Sequence, residues 1–490
     1  MQPASQDALA LARSIVCGET TAQAALQASL DAVTRLNPKI NAIDTQAPEA
    51  ALKRAAALDA ELASVRTDSQ RAALLEERPF FGVPLPLKDL GTACTDLPSS
   101  MGSAFFRLTK FDRDGELVRR YHAAGFVPFA RSTSPELGVS PSTEATVYGG
   151  PTRNPYNLAH SAGGSSGGAA AAVASGMVRI AHASDGLGSI RIPAANCGLV
   201  GLKPTRGLMP AGPVAGEAWG GLATEHVVSL TVRDTAAALD VTAGIDEGAP
   251  YAAPAWTRGD AMQAVHAALR GKAPRLRIAL LDRTFGGDAV HADVAQAVRA
   301  AGTRLQALGH EVLEAGPRFD VMELLKPAME IVASGTAMSV RHRAQALGRE
   351  PGPDDLSPTV HGAVAFANGI SGPRYLQQLG ALHAFTRRIS TFWREYDILL
   401  LPVLAEPPAV LGRFAMTNPD FVDYRIGPRG IAGYSPFTPL ANVTGQPALS
   451  MPGAWSTEGL PIGVQMVGRF GADALLLGLA AELEAAQSGR

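Results

Sequence analysis

Three parts of this sequence could take part in breaking an acyl bond. They are two glycine-rich stretches that contain serine and one lysine in an apolar segment. The segment SDGLGS, residues 184–189, follows an apolar run, Val178–Ala183, that is typical of a buried strand. A serine that follows glycines on a turn after a strand, as Ser189 does, is exposed as a nucleophile beside backbone N–H groups. A simple turn that closes the strand would explain the same letters.

The segment GGSSGG, residues 163–168, precedes a run of alanines, Ala169–Ala174. Gly and Ser are typical of flexible linkers, but glycine also permits positive φ angles and close approach of other groups. The first turn of a helix also leaves backbone N–H groups free. The segment lacks the GK[ST] ending of a phosphate-binding loop and contains no GxGxxG, which argues against nucleotide binding.

Lys88 lies in the apolar segment VPLPLKDL, residues 83–90. A lone lysine is usually a solvated surface charge. At the end of a buried strand, however, desolvation lowers the pKa of a lysine and allows the neutral amine to act as a base. The carboxylate of Asp89 favours the charged form, but its side chain points to the opposite face if the strand continues this far.

The segments around these residues alternate between helical and strand-like patterns. Residues 1–75 have alanine and leucine at helical spacing, with Asn37-Pro38 separating the first pair of helices. The later predicted elements are strand Phe80–Leu90, helix 114–124 with Gly125 as its stop, strand Phe126–Ala130, a loop over 140–168, helix Ala169–Ala174, strands Val178–Ala183 and Leu276–Leu281, helix Val290–Leu308, strands Tyr396–Val403 and 461–468, and helix 474–486. This rhythm predicts an α/β fold without an internal repeat or a disordered linker.

The continuous block from Gly163 to Gly207 resembles the amidase signature family. That family's pattern is a GGSSGG loop, a small-residue helix, a strand, a Gly-Ser turn and IRxPA..CG..GLKPT, and this chain has SIRIPAANCGLVGLKPTRG. The segments PLPLKD, AAGFVPFARSTSPELG, HVVSLTVRDTAAALDVTAG, YDILLLPVLAEPP and TPLANVTGQPALSMPG, then GLPIGVQMVG, also follow in family order. The resemblance extends over about residues 5–485.

The resemblance implies one α/β/α domain, residues 1–490, with a large twisted mixed sheet between helical layers. Residues 1–75 would form an N-terminal helical segment packed on the core, and residues 80–210 a catalytic core. Residues 211–490 would supply the remainder of the sheet, the pocket walls and a C-terminal strand and helix.

The family's catalytic residues fall on three positions of this chain. Ser189 would attack the amide carbonyl, and neutral Lys88 would be the base. Ser165, after a cis Gly164–Ser165 peptide bond, would relay the proton between them. The other implied site residues are Gly186, Leu187, Gly188 and Ser189 as backbone N–H donors of an oxyanion hole, Gly138, Val139, Ser165 and Leu187 as substrate-binding residues, and Ser166, Asp185 and Arg191 as supporting residues.

Two of these supporting assignments have alternatives. Ser166 competes for the relay role, and only the family pattern selects Ser165. Asp185 and Arg191 are expected to brace the loop, which they could do by pairing across it, rather than to react. Cys197 matches a small buried core residue of the family.

Leu187 departs from the family pattern, which commonly has GTDTGGS where this chain has ASDGLGS, residues 183–189. Any non-proline residue supplies a backbone N–H, so the oxyanion hole is retained. A leucine held at positive φ would be strained, and its side chain could narrow the pocket. The expected pocket walls are Leu137–Gly150, the region around 320–380, and Ile426–Phe437.

The predicted function is therefore hydrolysis of carboxylic amides through an acyl-Ser189 intermediate, without a metal or cofactor. A carbamate, aryl-acylamide or ester hydrolase with the same three residues is the alternative. An amidotransferase-type subunit that acts within a complex is disfavoured, because that branch usually has glutamine where this chain has Ile192. A non-catalytic relative is disfavoured by the three intact catalytic positions.

Composition limits the partners. The 490 residues include 43 Lys and Arg against 45 Asp and Glu, a net charge of −2, which does not suit a nucleic-acid binder. The three cysteines, Cys17, Cys94 and Cys197, are too few and too separated for a disulfide framework or a zinc site. No signal peptide and no apolar run of about 18 residues is visible. We therefore expect a cytoplasmic monomer or homodimer that acts on a small amide-like molecule, with no nucleic-acid partner and no membrane span.

Overall fold

The computed structural model describes residues 6–251 and 254–487. In these residues the chain forms seventeen α-helices: α1 Ala8–Val16, α2 Ala22–Ile40, α3 Pro48–Leu62, α4 Asp68–Glu77, α5 Glu116–Ala123, α6 Gly167–Ala174, α7 Arg191–Asn196, α8 Val232–Thr242, α9 Asp260–Leu269, α10 Ala292–Ala307, α11 Met322–Leu347, α12 Pro358–Asn368, α13 Gly372–Ile389, α14 Phe421–Ile426, α15 Ile431–Tyr434, α16 Pro439–Thr444 and α17 Asp473–Gln487. None of them is both long and apolar enough to cross a membrane.

The same residues contain thirteen strands: β1 Ile43–Gln46, β2 Pro84–Lys88, β3 Val127–Ser132, β4 Arg153–Asn154, β5 Asn157–Ser161, β6 Ile180–Asp185, β7 Val200–Lys203, β8 Thr224–Ser229, β9 Arg277–Leu280, β10 Glu311–Glu314, β11 Ile398–Pro402, β12 Ala448–Trp455 and β13 Pro461–Gly468. Eight of them form one sheet in the order β10-β9-β11-β13-β12-β7-β8-β6. β9 is parallel to β10 and β11, and the other neighbours are antiparallel. Helices pack against this sheet, among them α10 on β11 and β13 and α17 on β12. The prediction of a large mixed sheet with helical layers is confirmed.

The N-terminal segment differs from the sequence-based prediction in two places, and its residues 1–5 lie outside the described residues. Helix α2 continues through Pro38 to Ile40, because the hydrogen bond that proline removes lies in the last turn of the helix. The chain then forms a strand, β1, where only helix is predicted. The Asn37 side chain accepts from the N–H groups of Ala42 and Ile43 at 2.7 and 2.9 Å, which turns the chain back to pair with β3.

The predicted loop over residues 140–168 is also more ordered than expected. It contains the two short strands β4 and β5, which pair with each other, and its last two residues already belong to α6. All eight residues of α6 are buried. A Cβ on Gly168 would lie 2.6 Å from the carbonyl oxygen of Ala42, so glycine is needed for this close packing. The GGSSGG segment is therefore not a flexible linker.

Strand β2 belongs to a separate three-stranded sheet, β1-β3-β2, but it lies beside β6 at the edge of the large sheet. Successive backbone N–H groups of a strand point to alternate sides, so residues 84, 86 and 88 share the side that faces β6. Pro84 and Pro86 have no N–H to donate, and the N–H of Lys88 donates to His182 Nδ1 at 3.1 Å instead of to a carbonyl. A side-chain contact thus replaces the hydrogen-bonded ladder at this boundary, and it places Lys88 against β6.

Candidate active site

Lys88, at the carboxyl end of β2, is completely buried. Its Nζ donates to Ser165 Oγ at 2.7 Å, to Ser184 Oγ at 2.9 Å and to the Ser184 carbonyl at 3.3 Å. Burial lowers the pKa of Lys88 to about 7, although the negative charges of Asp185 and Glu225 act in the opposite direction. A substantial fraction of this amine is therefore neutral near pH 7 and can accept a proton.

The two serines of GGSSGG have different partners. The Gly164–Ser165 peptide bond is cis, as expected, and the Ser165 hydroxyl meets Lys88 Nζ. The Ser166 hydroxyl is instead bound to the edge of β6, where it donates to the Ser184 carbonyl at 3.1 Å and accepts from the Ser184 N–H at 3.2 Å. Contact with the lysine thus distinguishes Ser165 from its neighbour.

Ser189 closes the turn that follows β6 and is half-buried. Its carbonyl accepts from the N–H of Ser166 at 3.2 Å, which ties the turn to the GGSSGG segment. Its hydroxyl makes no hydrogen bond within residues 6–251 and 254–487, and none joins it to Ser165. Ser189, Ser165 and Ser184 all line one cavity.

Three backbone N–H groups of this turn, those of Gly186, Leu187 and Ser189, have no hydrogen-bond partner in the described part of the chain. The N–H of Gly188, which the sequence predicts to be a fourth free donor, is occupied. It donates to Asp185 Oδ1 at 2.6 Å and is therefore not available to a substrate oxygen. The carboxylate of Asp185 lies inside the turn, where it accepts this hydrogen bond from the Gly188 N–H.

The expected strain at Leu187 is absent. Its φ angle is not in the left-handed region, and Gly188 has the positive φ of the turn, 129°. A Cβ on Gly188 would overlap Thr438 Oγ1, and that hydroxyl donates to the Leu187 carbonyl at 2.7 Å. The glycine that the turn requires is thus retained one position after the leucine.

Asp185 and Arg191 form the predicted pair behind the turn, and both side chains are completely buried. Arg191 donates from Nε to Asp185 Oδ2 and from Nη2 to Oδ1, both at 2.9 Å. Asn442 also donates to Asp185 Oδ1 at 2.9 Å, and the N–H of Ile190 donates to Oδ2 at 3.1 Å. Burial alone would raise the pKa of Asp185, but the charge and hydrogen bonds of Arg191 hold it well below its usual value. The pair braces the turn as an ionised, fully hydrogen-bonded unit.

The cavity beside Ser189 has a volume of about 320 Å³. Leu137 lines it from the predicted wall Leu137–Gly150, and Thr336 and Ser339 of α11 line it from the predicted region around 320–380. Half of its lining residues come from the segment Arg206–Glu225, which sequence reasoning missed. The glycine and proline content of that segment, GLMPAGPVAGEAWGG, is the signal that indicates an irregular loop near a site.

Glu225 is a further cavity residue that the sequence did not single out. It lies opposite Ser184 in the pairing of β6 with β8, so the two side chains share one face of the sheet. Its Oε1 accepts from Thr92 Oγ1 at 2.9 Å and lies 3.8 Å from His182 Nε2. Burial raises the pKa of Glu225. Burial and the nearby charge of Lys88 lower the pKa of His182 well below its usual value, so this imidazole is neutral.

The remaining predicted residues also lie near the turn. Gly138 has a φ of 70°, and a Cβ there would lie 3.3 Å from Ser165 Oγ. Gly138, Val139 and Leu187 line a second, smaller cavity that Ser189 also lines. Cys197 is buried, and its thiol donates to the Ala162 carbonyl at 3.5 Å, as expected of a core residue. No cluster of three or more potential metal ligands occurs within the described residues.

Comparison with known proteins supports the family indicated by the motifs. The Amidase family model matches residues 24–477. The 6-aminohexanoate-cyclic-dimer hydrolase of Pseudomonas sp. (strain NK87) is 34% identical, and the match covers 98% of this chain and 94% of that protein.

Solved structures agree with these matches. The structure of 6-aminohexanoate cyclic dimer hydrolase has a TM-score of 0.87 at 33% identity, and the match covers 98% of this chain and 96% of that one. A bacterial aryl acylamidase structure has a TM-score of 0.85 at 24% identity, over 98% of this chain and 96% of that one, and shows the shared fold. The chain belongs to the amidase family and is an amide-hydrolysing enzyme of that family.

Proposed function

We propose that this chain hydrolyses carboxylic amides through an acyl-enzyme formed on Ser189. The observation that carries the proposal is the 2.7 Å hydrogen bond between the buried Lys88 amine and Ser165, whose hydroxyl lines the same cavity as Ser189. A lysine whose pKa is lowered by burial is a suitable general base near neutral pH. The similarity to a hydrolase of the 6-aminohexanoate cyclic dimer supports an amide as the bond that is cleaved.

In the first half of the reaction, Ser189 Oγ adds to the amide carbonyl carbon and gives its proton to Ser165. Ser165 passes its own proton to Lys88, which becomes an ammonium. The free N–H groups of Gly186, Leu187 and Ser189 are the donors for the negative oxygen of the tetrahedral intermediate. Lys88 then returns the proton through Ser165 to the amide nitrogen, the C–N bond breaks, and the amine leaves.

In the second half, water gives a proton to the same relay and attacks the ester carbonyl of acyl-Ser189. The tetrahedral intermediate collapses, Ser189 recovers its proton, and the carboxylic acid leaves. The roles of Lys88 and Ser165 are the same in both halves, so one base serves acylation and deacylation. Carbamates, aryl amides and esters can follow the same path, and the preference among them is part of the proposal's test.

Labelling and turnover of active-site variants test this proposal. We expect a fluorophosphonate probe to attach to Ser189 in the wild type, as mapped by mass spectrometry, and not in Ser189→Ala. Ser189→Ala and Lys88→Met should lose about a thousandfold or more in kcat/KM for an anilide. Ser339→Ala is the matched control, because this serine lines the same cavity but donates only to the Gly335 carbonyl within α11.

Two outcomes would contradict the proposal. Probe attachment at another residue would exclude Ser189 as the nucleophile. Wild-type turnover in Lys88→Met would exclude the lysine as the base. Comparing an anilide, a urethane and an ester on the same wild-type protein then assigns the preferred bond.

A further inference from the structure

Ser189 lines two cavities of very different size. The larger, about 320 Å³, is lined by Ser165 and Gly186. The smaller, about 40 Å³, lies on the side of Gly138 and Leu187. Since a single water molecule needs about 10–15 Å³ by this measure, the small cavity has room for roughly three waters. That space suits two or three carbon atoms.

Trp219 lines both cavities and is thus a wall that they share. Its indole fits between two glycines, because a Cβ on Gly186 would lie 2.5 Å from Cζ3 and one on Gly335 would lie 2.6 Å from Cδ1. The backbone of Trp219 is in the left-handed region, with φ 52°, which a bulky residue adopts only when its surroundings hold it there. The ring is therefore a fixed wall of the small cavity.

The small cavity has mostly apolar walls. Its apolar lining residues beside Trp219 include Leu187, Ile192, Met329, Ile426 and Ile431. The cation in its lining, Arg425, donates from Nη1 to the Val139 carbonyl at 3.1 Å, and burial lowers its pKa to about 10. The cavity thus suits a short hydrocarbon group better than a polar one.

This step rests on the proposed function. The acyl half and the amine half of an amide then have different neighbours at the site. The departing nitrogen receives its proton from Ser165, which lines the large cavity and not the small one. The amine half therefore occupies the large cavity, and the acyl half extends from Ser189 to the opposite side. We infer that the small cavity closed by Trp219 is the acyl pocket, and that the enzyme selects N-substituted amides with short acyl groups and large amine portions.

A pair of isomeric amides tests the inference. N-benzylacetamide has a short acyl half and a large amine half, and N-methyl-2-phenylacetamide has the same atoms with the two halves exchanged. Both release an alkylamine, so their intrinsic reactivities are similar. We expect the wild type to prefer N-benzylacetamide by at least about tenfold in kcat/KM, since even one methylene too many can cost a filled pocket that much. Where turnover is slow, protection of Ser189 from the fluorophosphonate gives the same order of binding.

Substitution of the wall completes the test. Trp219→Ala joins the two cavities and should reduce the preference to about threefold or less, mainly by accelerating the phenylacetamide. Trp219→Phe, which is less disruptive, should change the preference in the same direction by a smaller factor. Trp455→Ala is the matched control, because Trp455 is exposed and lines neither cavity. Its ratio should remain that of the wild type.

Different results would overturn different steps. Equal rates or the reverse preference in the wild type, or an unchanged ratio in both Trp219 variants, would refute the acyl-pocket assignment while hydrolysis still depended on Ser189. Hydrolysis of either isomer that survives Ser189→Ala would instead refute the proposed function.

Discussion

The charge of Glu225 should set the pH at which the enzyme becomes active. If Lys88 acts as the base, kcat/KM rises with pH as this amine loses its proton, with a midpoint near its pKa of about 7. The carboxylate of Glu225 stabilises the protonated amine and so raises that pKa. Glu225→Gln removes this charge and keeps the shape, so the midpoint should move to lower pH.

The size of the effect follows from the packing of β6 against β8. Lys88 Nζ is 2.9 Å from Ser184 Oγ, and side chains paired across strands have Cβ atoms about 5 Å apart, which puts the two charges roughly 7 Å apart. At an effective dielectric constant of about 20 their attraction is about 2.4 kcal/mol. That energy corresponds to less than two pH units. Because water in the cavity screens part of it, we expect a displacement of about one unit.

The assay is the pH profile of kcat/KM for a neutral anilide between pH 5 and 9. Glu217→Gln is the control, because Glu217 is an exposed carboxylate of the same cavity and its removal should leave the midpoint in place. A midpoint in Glu225→Gln that stays constant or moves to higher pH would refute the electrostatic reasoning, and would also show that this carboxyl is uncharged at the midpoint or that another group titrates there.

Two further substitutions test the braced turn. Asp185→Asn leaves the buried Arg191 without its counter-charge and should lower the free energy of unfolding by about 3–5 kcal/mol. Urea denaturation at pH 7 measures this loss, and a value below about 1 kcal/mol would contradict the ion-pair interpretation. Since the folded pKa of Asp185 is lowered, its stabilisation is present above the ordinary carboxyl pKa of about 4 and is lost as the pH falls further, so the variant should also show a weaker acid dependence of stability. Gly188→Ala forces a strained φ and an overlap with Thr438 Oγ1, and should lower kcat/KM by about a hundredfold. Gly149→Ala has the same kind of left-handed backbone in open space and should leave the rate unchanged.

Short motifs, read together with the family resemblance, indicated the residues that the structure brings together at the candidate site. Lys88, Ser165 and the turn before Ser189 come from strands and loops whose local patterns are clear, and the strand over residues 461–468 is found with the predicted bounds. The mixed pairing of the sheet and the family were also indicated correctly. The motifs and the single strand depend on neighbours along the chain, which a sequence pattern records directly, whereas the mixed sheet was implied by the family resemblance alone.

What could not be predicted depends on contacts between distant residues. The occupied N–H of Gly188 follows from the direction of one carboxylate inside the turn. Trp219 forms a wall only because Gly186 and Gly335, 149 positions apart in the chain, leave a slot of the right width. The strand β1 exists because β3 supplies a partner, and four residues are too few to give a pattern of their own.

The boundary between the two sheets has a consequence for how this enzyme loses activity during denaturation. Lys88 comes from the small sheet, whereas Ser184 and Ser189 belong to the edge of the large one or directly follow it. The hydrogen bonds that join β2 to β6 come from a single residue, Lys88, through its backbone N–H and its Nζ. Leu85 and Leu87 of β2 are buried in the same core as Ile180 of β6, so packing holds the seam, but a small displacement along it breaks the Lys88 hydrogen bonds while both sheets keep their own ladders. Inactivation under mild denaturant should therefore precede the loss of secondary structure, and activity should return quickly when the denaturant is diluted.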